Sequence, residues 1–256
     1  MEESRLPPAD HHDNPADTPA DVPRDAAASP PSAPSTRPVI HRFVLGPWAT
    51  NCYVVAAPGD ARCWIVDAGF EPEAMIEAIR ALELAPQRIL LTHAHLDHIA
   101  GLHAIRAAFG ANLPIAIHPA EREFLIDPSL NLSLFTGMNI VAPEADETLN
   151  DGDTLELAGT GPWEVRHTPG HSPGGVTLYH AESGFAIAGD TLFQESIGRY
   201  DFPTSDGEQL IRSIRERLLT LPDETRVLPG HGDPTTIGHE RLNNPFLREG
   251  VELPPV

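Results

Sequence analysis

The sequence predicts a mixed α/β protein, and two patterns carry this prediction. Short apolar runs rich in Val and Ile end in Gly, Pro or Asp, as β-strands do. Between them, apolar residues recur at spacings of three and four, as at Ile76, Ile79 and Leu82, which is typical of amphipathic helices. The chain has 256 residues, enough for one α/β core. Strands that alternate with helices would suit two central sheets covered on the outside by helices, but the periodicity alone supports only a mixed α/β protein.

The N-terminal segment is predicted to lie outside this core. Residues 1–38 are crowded with Pro, Ala, Asp and Ser and hold almost no large apolar side chain. Such a segment cannot bury enough apolar surface to offset the entropy that it would lose on ordering. We therefore predict a disordered tail at residues 1–38 and one folded domain at residues 39–256.

The first half of the domain is predicted to begin with three strands, at 39–45, 52–57 and 63–66. We then expect, in chain order, a helix at 72–84, a strand at 88–92, a helix ending near Phe109, a strand at 115–118 and a helix at 119–126.

The second half is predicted to begin with an irregular segment. Residues 127–143 show no regular pattern, so we expect a loop that overhangs the functional site. The remaining elements are predicted as strands at 154–158, 163–167, 175–180 and 185–188, a helix at 207–221 and a final strand at 225–228.

The densest group of chemically active side chains is the run His93-Ala94-His95-Leu96-Asp97-His98, directly after the strand predicted at 88–92. A strand directs alternate side chains to one face, so His93 and His95 can converge on one point. Asp97 and His98 lie where the chain must already turn. Four potential ligands in six positions indicate a site for two adjacent cations.

Three further ligand candidates follow strand-like runs and stand beside glycine. They are His171 after Gly170, Asp190 after Gly189, and His231 after Gly230. A glycine lets the chain bend sharply, so that the next polar side chain projects from a loop at the edge of a sheet. Imidazole with carboxylate suits zinc, with iron or manganese as substitutes, and a carboxylate between two cations can bridge them.

The order His-x-His-x-Asp-His, followed by isolated His, Asp and His, resembles the metallo-β-lactamase-fold hydrolases from about residue 39 to about residue 250. The resemblance implies an α/β fold of the αββα sandwich type and two divalent metal ions, zinc in the first place. It implies one metal on His93, His95 and His171 and a second on Asp97, His98 and His231. Asp190 would bridge both metals, and Asp97 and Asp190 would be catalytic as well as ligands.

Within this superfamily, the segments at 229–238 and 243–247 look most like a short, bacterial glyoxalase II-like branch, that is, hydroxyacylglutathione hydrolase-like enzymes. The implied reaction is hydrolysis of a small-molecule thioester such as S-D-lactoylglutathione. Two cations held roughly 3.5–4 Å apart can share a water and lower its pKa, so a bridging hydroxide would be the nucleophile. Full-length enzymes of this branch add a helical C-terminal domain that helps to hold glutathione, whereas here only residues 232–256 follow the last ligand. The physiological thioester therefore stays open.

Other activities of the same fold also stay open. A persulfide dioxygenase would place one iron on His93, His171 and Asp190, and it shares the Gly-Arg-x-Asp-Phe segment found here at 198–202. Its last motif typically reads Ala-His-Asp-Tyr, whereas this chain has Gly-His-Gly-Asp at 230–233, which favours the binuclear hydrolase. A lactonase would apply the same chemistry to an oxygen ester. A β-lactamase is less favoured, because His98 supplies the extra ligand typical of the hydrolase branches.

Two residues are predicted to contact the substrate. Arg199 and Tyr200 follow the proposed bridging aspartate in a segment that resembles a recurrent one of the glyoxalase II-like branch. A guanidinium can bind a substrate carboxylate through two hydrogen bonds, but Arg199 can equally form an internal salt bridge with Asp201 or Asp206. Tyr200 stands where the family commonly has Thr.

Three other polar residues are predicted to support the site rather than to bind metal. Asp67 ends a strand at a position that resembles one where the family supports ligands through hydrogen bonds. His118 and His167 each follow a strand, and we interpret both as structural or supporting residues.

Composition argues against several partners and locations. The formal charge is −20 and the sequence contains no lysine, so nucleic acid and anionic membranes are not expected partners. The chain shows no apolar stretch of about 18 residues and no signal-like N-terminus, which predicts a soluble, cytoplasmic protein. Cys52 and Cys63 are expected to be free, buried thiols. The oligomeric state stays open.

Overall fold

Two six-stranded sheets form the centre of the domain. The structure, a computed structural model, describes residues 37–248, 250, 251 and 253. Apart from Arg37 and Pro38, the predicted tail lies outside the described residues, so its predicted disorder stays a prediction.

The first sheet holds six strands in the order in which they follow along the chain. They are β1 (Val39–Leu45), β2 (Thr50–Ala56), β3 (Arg62–Val66), β4 (Ala85–Leu90), β5 (Ile115–Ile117) and β6 (Glu147–Thr148). The first three strands pair antiparallel, and β3 to β6 pair parallel.

The second sheet has the spatial order β14-β13-β10-β9-β8-β7. Its strands are β7 (Thr154–Glu156), β8 (Pro162–His167), β9 (Val176–His180), β10 (Phe185–Gly189), β13 (Arg226–Pro229) and β14 (Thr235–Thr236). A separate ribbon joins β11 (Leu192–Phe193) to β12 (Ser196–Ile197).

The described residues form five α-helices: α1 (Glu73–Ala81), α2 (Leu96–Ile99), α3 (Leu102–Phe109), α4 (Gly207–Ser213) and α5 (Ile237–Asn243). A π-helical segment, Ile214–Leu218, continues α4. Short 3-10 turns cover Pro119–Glu121, Glu123–Leu125, Ser133–Thr136 and Pro245–Leu247.

Alternation along the strands produces three apolar layers. In β2, Val54 faces a core formed with α1 and α3, whereas Val55 faces the space between the sheets. In β10, Ile187 likewise points between the sheets, while Ala186 packs against α4 and α5. Because strands buried on both faces need cover on both sides, helices lie outside each sheet. The predicted αββα sandwich is confirmed.

The layer between the sheets is filled by large side chains. Trp64 from β3 and Trp163 from β8 are fully buried there, with ring centroids 6.0 Å apart in an edge-to-face arrangement. Such a pair adds stabilisation beyond the area that it buries. The two sheets are therefore fixed against each other close to their centre.

Several predicted elements differ from the structure. The helix predicted at 119–126 is instead two 3-10 turns, because Glu121 turns its side chain into the interior to accept backbone hydrogen bonds. The helix predicted to end near Phe109 is split into α2 and α3, since the backbone N–H of Gly101 donates to the carbonyl of Ala68. Helix α5 and the two-residue strands were not predicted, because elements that short show no readable period.

The topology brings the carboxyl ends of several strands to one edge. Strands β3 and β4 run parallel, and so do β8, β10 and β13, since β8 and β10 both pair antiparallel with β9. A hydrogen bond from the Val176 N–H to the Thr92 carbonyl joins the two sheets at this edge. The loops that follow these strands therefore meet in one place.

No helix in the described part of the chain is long and apolar enough to cross a membrane.

Candidate metal centre

All seven predicted ligands lie together at this edge. Their potential ligand atoms form three groups, each with all atoms within 4.8 Å of one another. These groups are His93 with His95 and His171, Asp97 with His98 and His231, and His93 with His98 and Asp190. The first two are the triads that the family resemblance implies for the two separate metals.

Asp190 lies between the two triads. Its Oδ2 is 3.5 Å from His171 Nε2 and 3.5 Å from His231 Nε2, and its Oδ1 is 3.5 Å from His98 Nε2. One carboxylate thus reaches residues of both triads. This is the position that a bridging ligand requires.

Several polar atoms of the cluster are buried without a hydrogen-bond partner among the described residues. They are Nε2 of His93, of His95 and of His98, and Oδ1 of Asp190. A buried polar atom left unpaired destabilises a protein by about 1–3 kcal/mol, so native proteins rarely gather several in one place. Four such atoms at one point fit a site that is completed by cations.

The imidazole pKa values favour the neutral form that a metal ligand needs at part of the centre. Burial, together with the nearby His98 and His171, lowers the pKa of His93 and of His95 well below the usual range. For His98, burial acts in the same direction, but Asp97, Asp67 and Asp190 outweigh it and raise the pKa. The cluster therefore places negative charge on the side of His98.

Asp67 fixes the orientation of His98. Its Oδ2 accepts hydrogen bonds from His98 Nδ1 at 2.9 Å and from Thr92 Oγ1 at 2.8 Å, and its Oδ1 accepts from the Thr92 N–H. With Nδ1 donating to a carboxylate, Nε2 of His98 is the nitrogen directed at the centre. The predicted hydrogen bond between Asp67 and a ligand candidate is present.

Glu121 is a supporting residue that sequence reasoning missed. Its carboxylate is fully buried and accepts from the N–H of Ala94, inside the ligand run, and from the N–H of Gly174, beyond His171. One side chain therefore ties together the two loops that carry the first triad. Burial raises the pKa of this carboxyl group, against the lowering effect of the N–H groups that it accepts from.

Polar residues of β2 hold the second triad, and they were also missed. Thr50 Oγ1 donates to Asp97 Oδ2 at 2.8 Å. Asn51 Nδ2 donates to the carbonyls of Pro229 and Gly232, on both sides of His231, at 2.9 and 2.8 Å. The start of β2 thus positions both Asp97 and the loop of His231.

The two remaining histidines are oriented by backbone carbonyls. His171 Nδ1 pairs with the carbonyl of Arg199 at 2.8 Å, and His231 Nδ1 with that of Trp48 at 3.1 Å. Next to His231, a Cβ on Gly230 would lie 2.0 Å from Asp190 Oδ1, so only glycine leaves room for that carboxylate.

The residues predicted to be structural belong to none of the three ligand groups. His118 and His167 stack on each other with centroids 4.1 Å apart and planes inclined by 7°. Cys52 and Cys63 are free and buried, as expected. Neither pair lines the cavity described next.

A cavity of about 550 Å³ opens beside the centre, lined by His95, Asp97, His171, Asp190 and His231. Leu132, Phe135 and Thr136 form one wall, so the loop predicted to overhang the site does so.

Of the two predicted substrate contacts, only Arg199 lines the cavity. Its guanidinium forms the salt bridge with Asp201, with distances of 2.8 and 2.7 Å. Tyr200 lies outside the cavity lining, where its ring packs beside Gly207 and the apolar cluster around α4. The sequence could not show this, because adjacent residues of an irregular segment can point in opposite directions.

Comparison with known proteins agrees with the fold and the ligand order. The family model described as the metallo-β-lactamase superfamily matches residues 45–231. The chain therefore belongs to the metallo-β-lactamase superfamily, and it is a metallo-hydrolase of that superfamily.

Two relatives are similar in sequence over most of this chain. A probable metallo-hydrolase of Bacillus subtilis, YqgX, is 40% identical over 209 residues, which cover 80% of this chain and 96% of the relative. The hydroxyacylglutathione hydrolase GloC of Haemophilus influenzae is 40% identical over 185 residues, which cover 72% of this chain and 86% of the relative.

Two solved structures are similar over nearly their whole length. The BLEG-1 B3 metallo-β-lactamase is 42% identical with a TM-score of 0.77, covering 82% of this chain and 99% of that one. TTHA1623, solved in a di-iron-bound form, is 38% identical with a TM-score of 0.70, covering 81% of this chain and 100% of that one.

Proposed function

We propose that the chain is a binuclear metal-dependent thioester hydrolase of the glyoxalase II type. The observation that carries the proposal is the arrangement of two ligand triads around Asp190, with buried imidazole nitrogens of His93, His95 and His98 that have no partner among the described residues. The di-iron-bound form of TTHA1623 and the activity named for GloC support it. Under this proposal, one water adds across the C–S bond and yields a carboxylic acid and a thiol.

The residues present fit two divalent cations. His93, His95 and His171 would hold one, Asp97, His98 and His231 the other, and Asp190 would contact both. Five imidazoles and two carboxylates suit zinc, iron or manganese, and zinc is our first choice. When bound, the cations would lower the pKa of a shared water and polarise the thioester carbonyl.

The chain's own groups would orient the ligands and place the substrate. Thr50 donates to Asp97 Oδ2, the oxygen that lies 3.2 Å from His231 Nε2, while Asp67 holds the His98 ring. The cavity would seat the thioester with its carbonyl toward Asp97 and Asp190, which are the proposed catalytic carboxylates. The side chains around the cavity would exclude bulk water from the reacting carbon.

The test uses metal-loaded protein and three substrates: S-D-lactoylglutathione, a second thioester and glutathione persulfide. We expect hydrolysis of at least one thioester and no oxygen uptake with the persulfide. Oxygen uptake without thioester cleavage would instead establish the dioxygenase. Asp233→Asn, a change at an exposed carboxylate beside the His231 loop, serves as the matched control for substitutions of the ligands.

β-Lactam hydrolysis is the second candidate, because the BLEG-1 structure is described as a B3 metallo-β-lactamase. A chromogenic cephalosporin belongs in the same assay. Cleavage of the β-lactam faster than of any thioester would replace the primary proposal.

The proposal also names the partner of the site and the cellular location of the reaction. The partner of the site is a small-molecule thioester rather than nucleic acid or membrane, in keeping with the formal charge of −20. We place the reaction in the cytoplasm, which fractionation of cells with an antibody against the chain would test.

A further inference from the structure

We propose that the cavity selects thioesters that carry an apolar acyl group, such as an aromatic or branched alkyl group, on an uncharged thiol. Thioesters of glutathione would be poorer substrates. This inference rests on the proposed thioester hydrolysis and names the substrate class of the same site. The wall of the cavity is its first support. The apolar side chains that line it are Trp48, Leu132, Phe135, Phe193, Phe202 and Pro203.

Two of these rings lie beside the metal centre, one against each ligand triad. The Phe202 ring packs edge-on against His95 and His171, with centroids 5.3 and 5.8 Å away. The Phe193 ring meets His231 in the same way at 6.1 Å. A group bound next to the reacting carbonyl would therefore contact phenyl rings on either side, and such surfaces bind apolar and aromatic groups.

The loop wall is held in place before any substrate binds. Asn131 is buried, donates to the carbonyls of Phe124 and Ile140 at 2.9 and 3.0 Å, and accepts from the N–H of Ser133 at 3.0 Å. The next residue, Leu132, lines the cavity with φ at 70°, a left-handed conformation that residues other than glycine rarely adopt. Strain of this kind persists where the surrounding structure enforces it, often at ligand sites.

Phe135, on the same loop, leaves 69% of its surface exposed although it is large and apolar. Exposed apolar surface beside a cavity marks a place where a ligand can gain free energy by covering it. An apolar substrate group would cover the Phe135 ring, whereas a carboxylate would not.

The charged side chains of the cavity also favour uncharged substrates. Histidines aside, Arg199 is the single cationic side chain that lines the cavity in the described part of the chain. Its guanidinium is held by both oxygens of Asp201 and stacks over Phe202 at 4.3 Å. An exposed ion pair is weak, so it can open. However, a substrate carboxylate that reached Arg199 would meet the carboxylate of Asp201 as well.

Glutathione brings carboxylates that require cations, and this wall offers them no unopposed positive charge. The first experiment therefore measures kcat/KM for four thioesters that combine D-lactoyl or phenylacetyl with glutathione or with the uncharged thiol N-acetylcysteamine. We expect the phenylacetyl thioester of N-acetylcysteamine to exceed S-D-lactoylglutathione by about tenfold or more, the factor that one apolar group can contribute in a hydrophobic pocket.

Substitutions in the cavity wall test the contribution of apolar contacts and the contribution of charge separately. Phe135→Ala should lower kcat/KM for the phenylacetyl substrates by about tenfold. Leu134→Ala is the matched control, because Leu134 is the adjacent residue, is 58% exposed and does not line the cavity. Asp201→Asn should free Arg199 and raise the ratio of glutathione to N-acetylcysteamine thioester hydrolysis about fivefold, since it removes one carboxylate and leaves the guanidinium unopposed.

A binding measurement provides a readout that is independent of turnover. Trp48 lines the cavity and is 36% exposed, whereas Trp64 and Trp163 are buried at 1% and 0%, so a fluorescence change on ligand binding reports on Trp48. The probes are two unreactive thioethers, the benzyl thioether of N-acetylcysteamine and S-benzylglutathione. The uncharged thioether should bind more tightly by about tenfold, and Trp48→Phe should remove the signal.

The possible results separate the two proposals. A preference for S-D-lactoylglutathione over the uncharged phenylacetyl thioester would overturn the inference and leave the thioester hydrolase standing. If metal-loaded protein cleaved no thioester, the proposed function would fail. The fluorescence measurement would then still decide the inference, because equal or tighter binding of S-benzylglutathione contradicts it.

Discussion

The ligand candidates come from two regions of different construction. Residues 93–98 supply four of them from one continuous segment at the end of β4, where all four are buried. His171, Asp190 and His231 come from three separate loops after β8, β10 and β13. The first region is held by side-chain carboxylates, those of Asp67 and Glu121. In the second, His171 and His231 are oriented by backbone carbonyls.

This difference shows how the site depends on the fold. The first region carries its four ligand candidates on six consecutive residues, so they are close together in any fold. The second exists only because the parallel strands β8, β10 and β13 end at one edge of the sheet. Substitution of a side chain that contacts both regions should therefore change metal binding, turnover or stability more than substitution of a side chain that contacts only one.

The largest effect is expected at Asp190, which contacts residues of both regions. Asp190→Asn removes the charge that would offset two cations, so we expect metal content to fall toward one or none and turnover to fall by at least about 10³-fold. The measurements are elemental analysis and kcat for the best thioester. Full metal loading with a normal rate would contradict the bridging role, and Asp233→Asn should behave as the unsubstituted protein does.

An intermediate effect is expected at Glu121, which joins the regions through backbone groups. Glu121→Ala leaves the buried N–H groups of Ala94 and Gly174 unpaired, which should lower the free energy of unfolding by about 1–3 kcal/mol for each. Metal affinity should fall about 10- to 100-fold, because the loops that carry the first triad are no longer tied together. Urea unfolding and competition with a chelator measure these two quantities.

Matched variants show whether the loss is specific to this carboxylate. Glu121→Gln keeps one acceptor oxygen and should recover part of the affinity. Glu123→Ala changes an exposed residue two positions away and should alter neither quantity. Equal behaviour of Glu121→Ala and Glu123→Ala would show that the carboxylate does not link the regions.

The smallest effect is expected at the stacked pair of His118 and His167, which belongs to neither region. Partial burial, together with His167, lowers the pKa of His118 from 6.5 to about 4, although Asp151 acts in the opposite direction. Below pH 6.5 the unfolded chain therefore binds a proton more readily than the folded one, and stability falls as the pH drops toward 4.

His118→Asn removes this titration and keeps an acceptor for the N–H of Ala120, because Asn is a good N-terminal cap. The stability lost between pH 7 and pH 5 should be smaller in the variant by about 1 kcal/mol, a value reduced for the partial exposure of His118. Urea unfolding at both pH values measures it. An unchanged pH dependence would show that the stack does not perturb His118.

The two regions also differ in how far the sequence predicts them. The run at 93–98 is recognisable because its ligands are adjacent, and the three separate ligands because each follows a strand and a glycine. Glu121 was missed because it lies in a polar run in which Glu123 looks equivalent, and nothing local shows which carboxylate turns inward. Thr50 was missed because the strand was predicted to begin at residue 52. These supporting contacts join distant segments, so they depend on tertiary structure.

The most direct test of the account is the metal content of the purified chain, measured by elemental analysis together with thioester hydrolysis on the same sample. The account predicts close to two divalent metal ions per chain, and activity that is lost on chelation and returns with the second equivalent of metal. One metal per chain with full thioesterase activity would contradict the proposed binuclear centre.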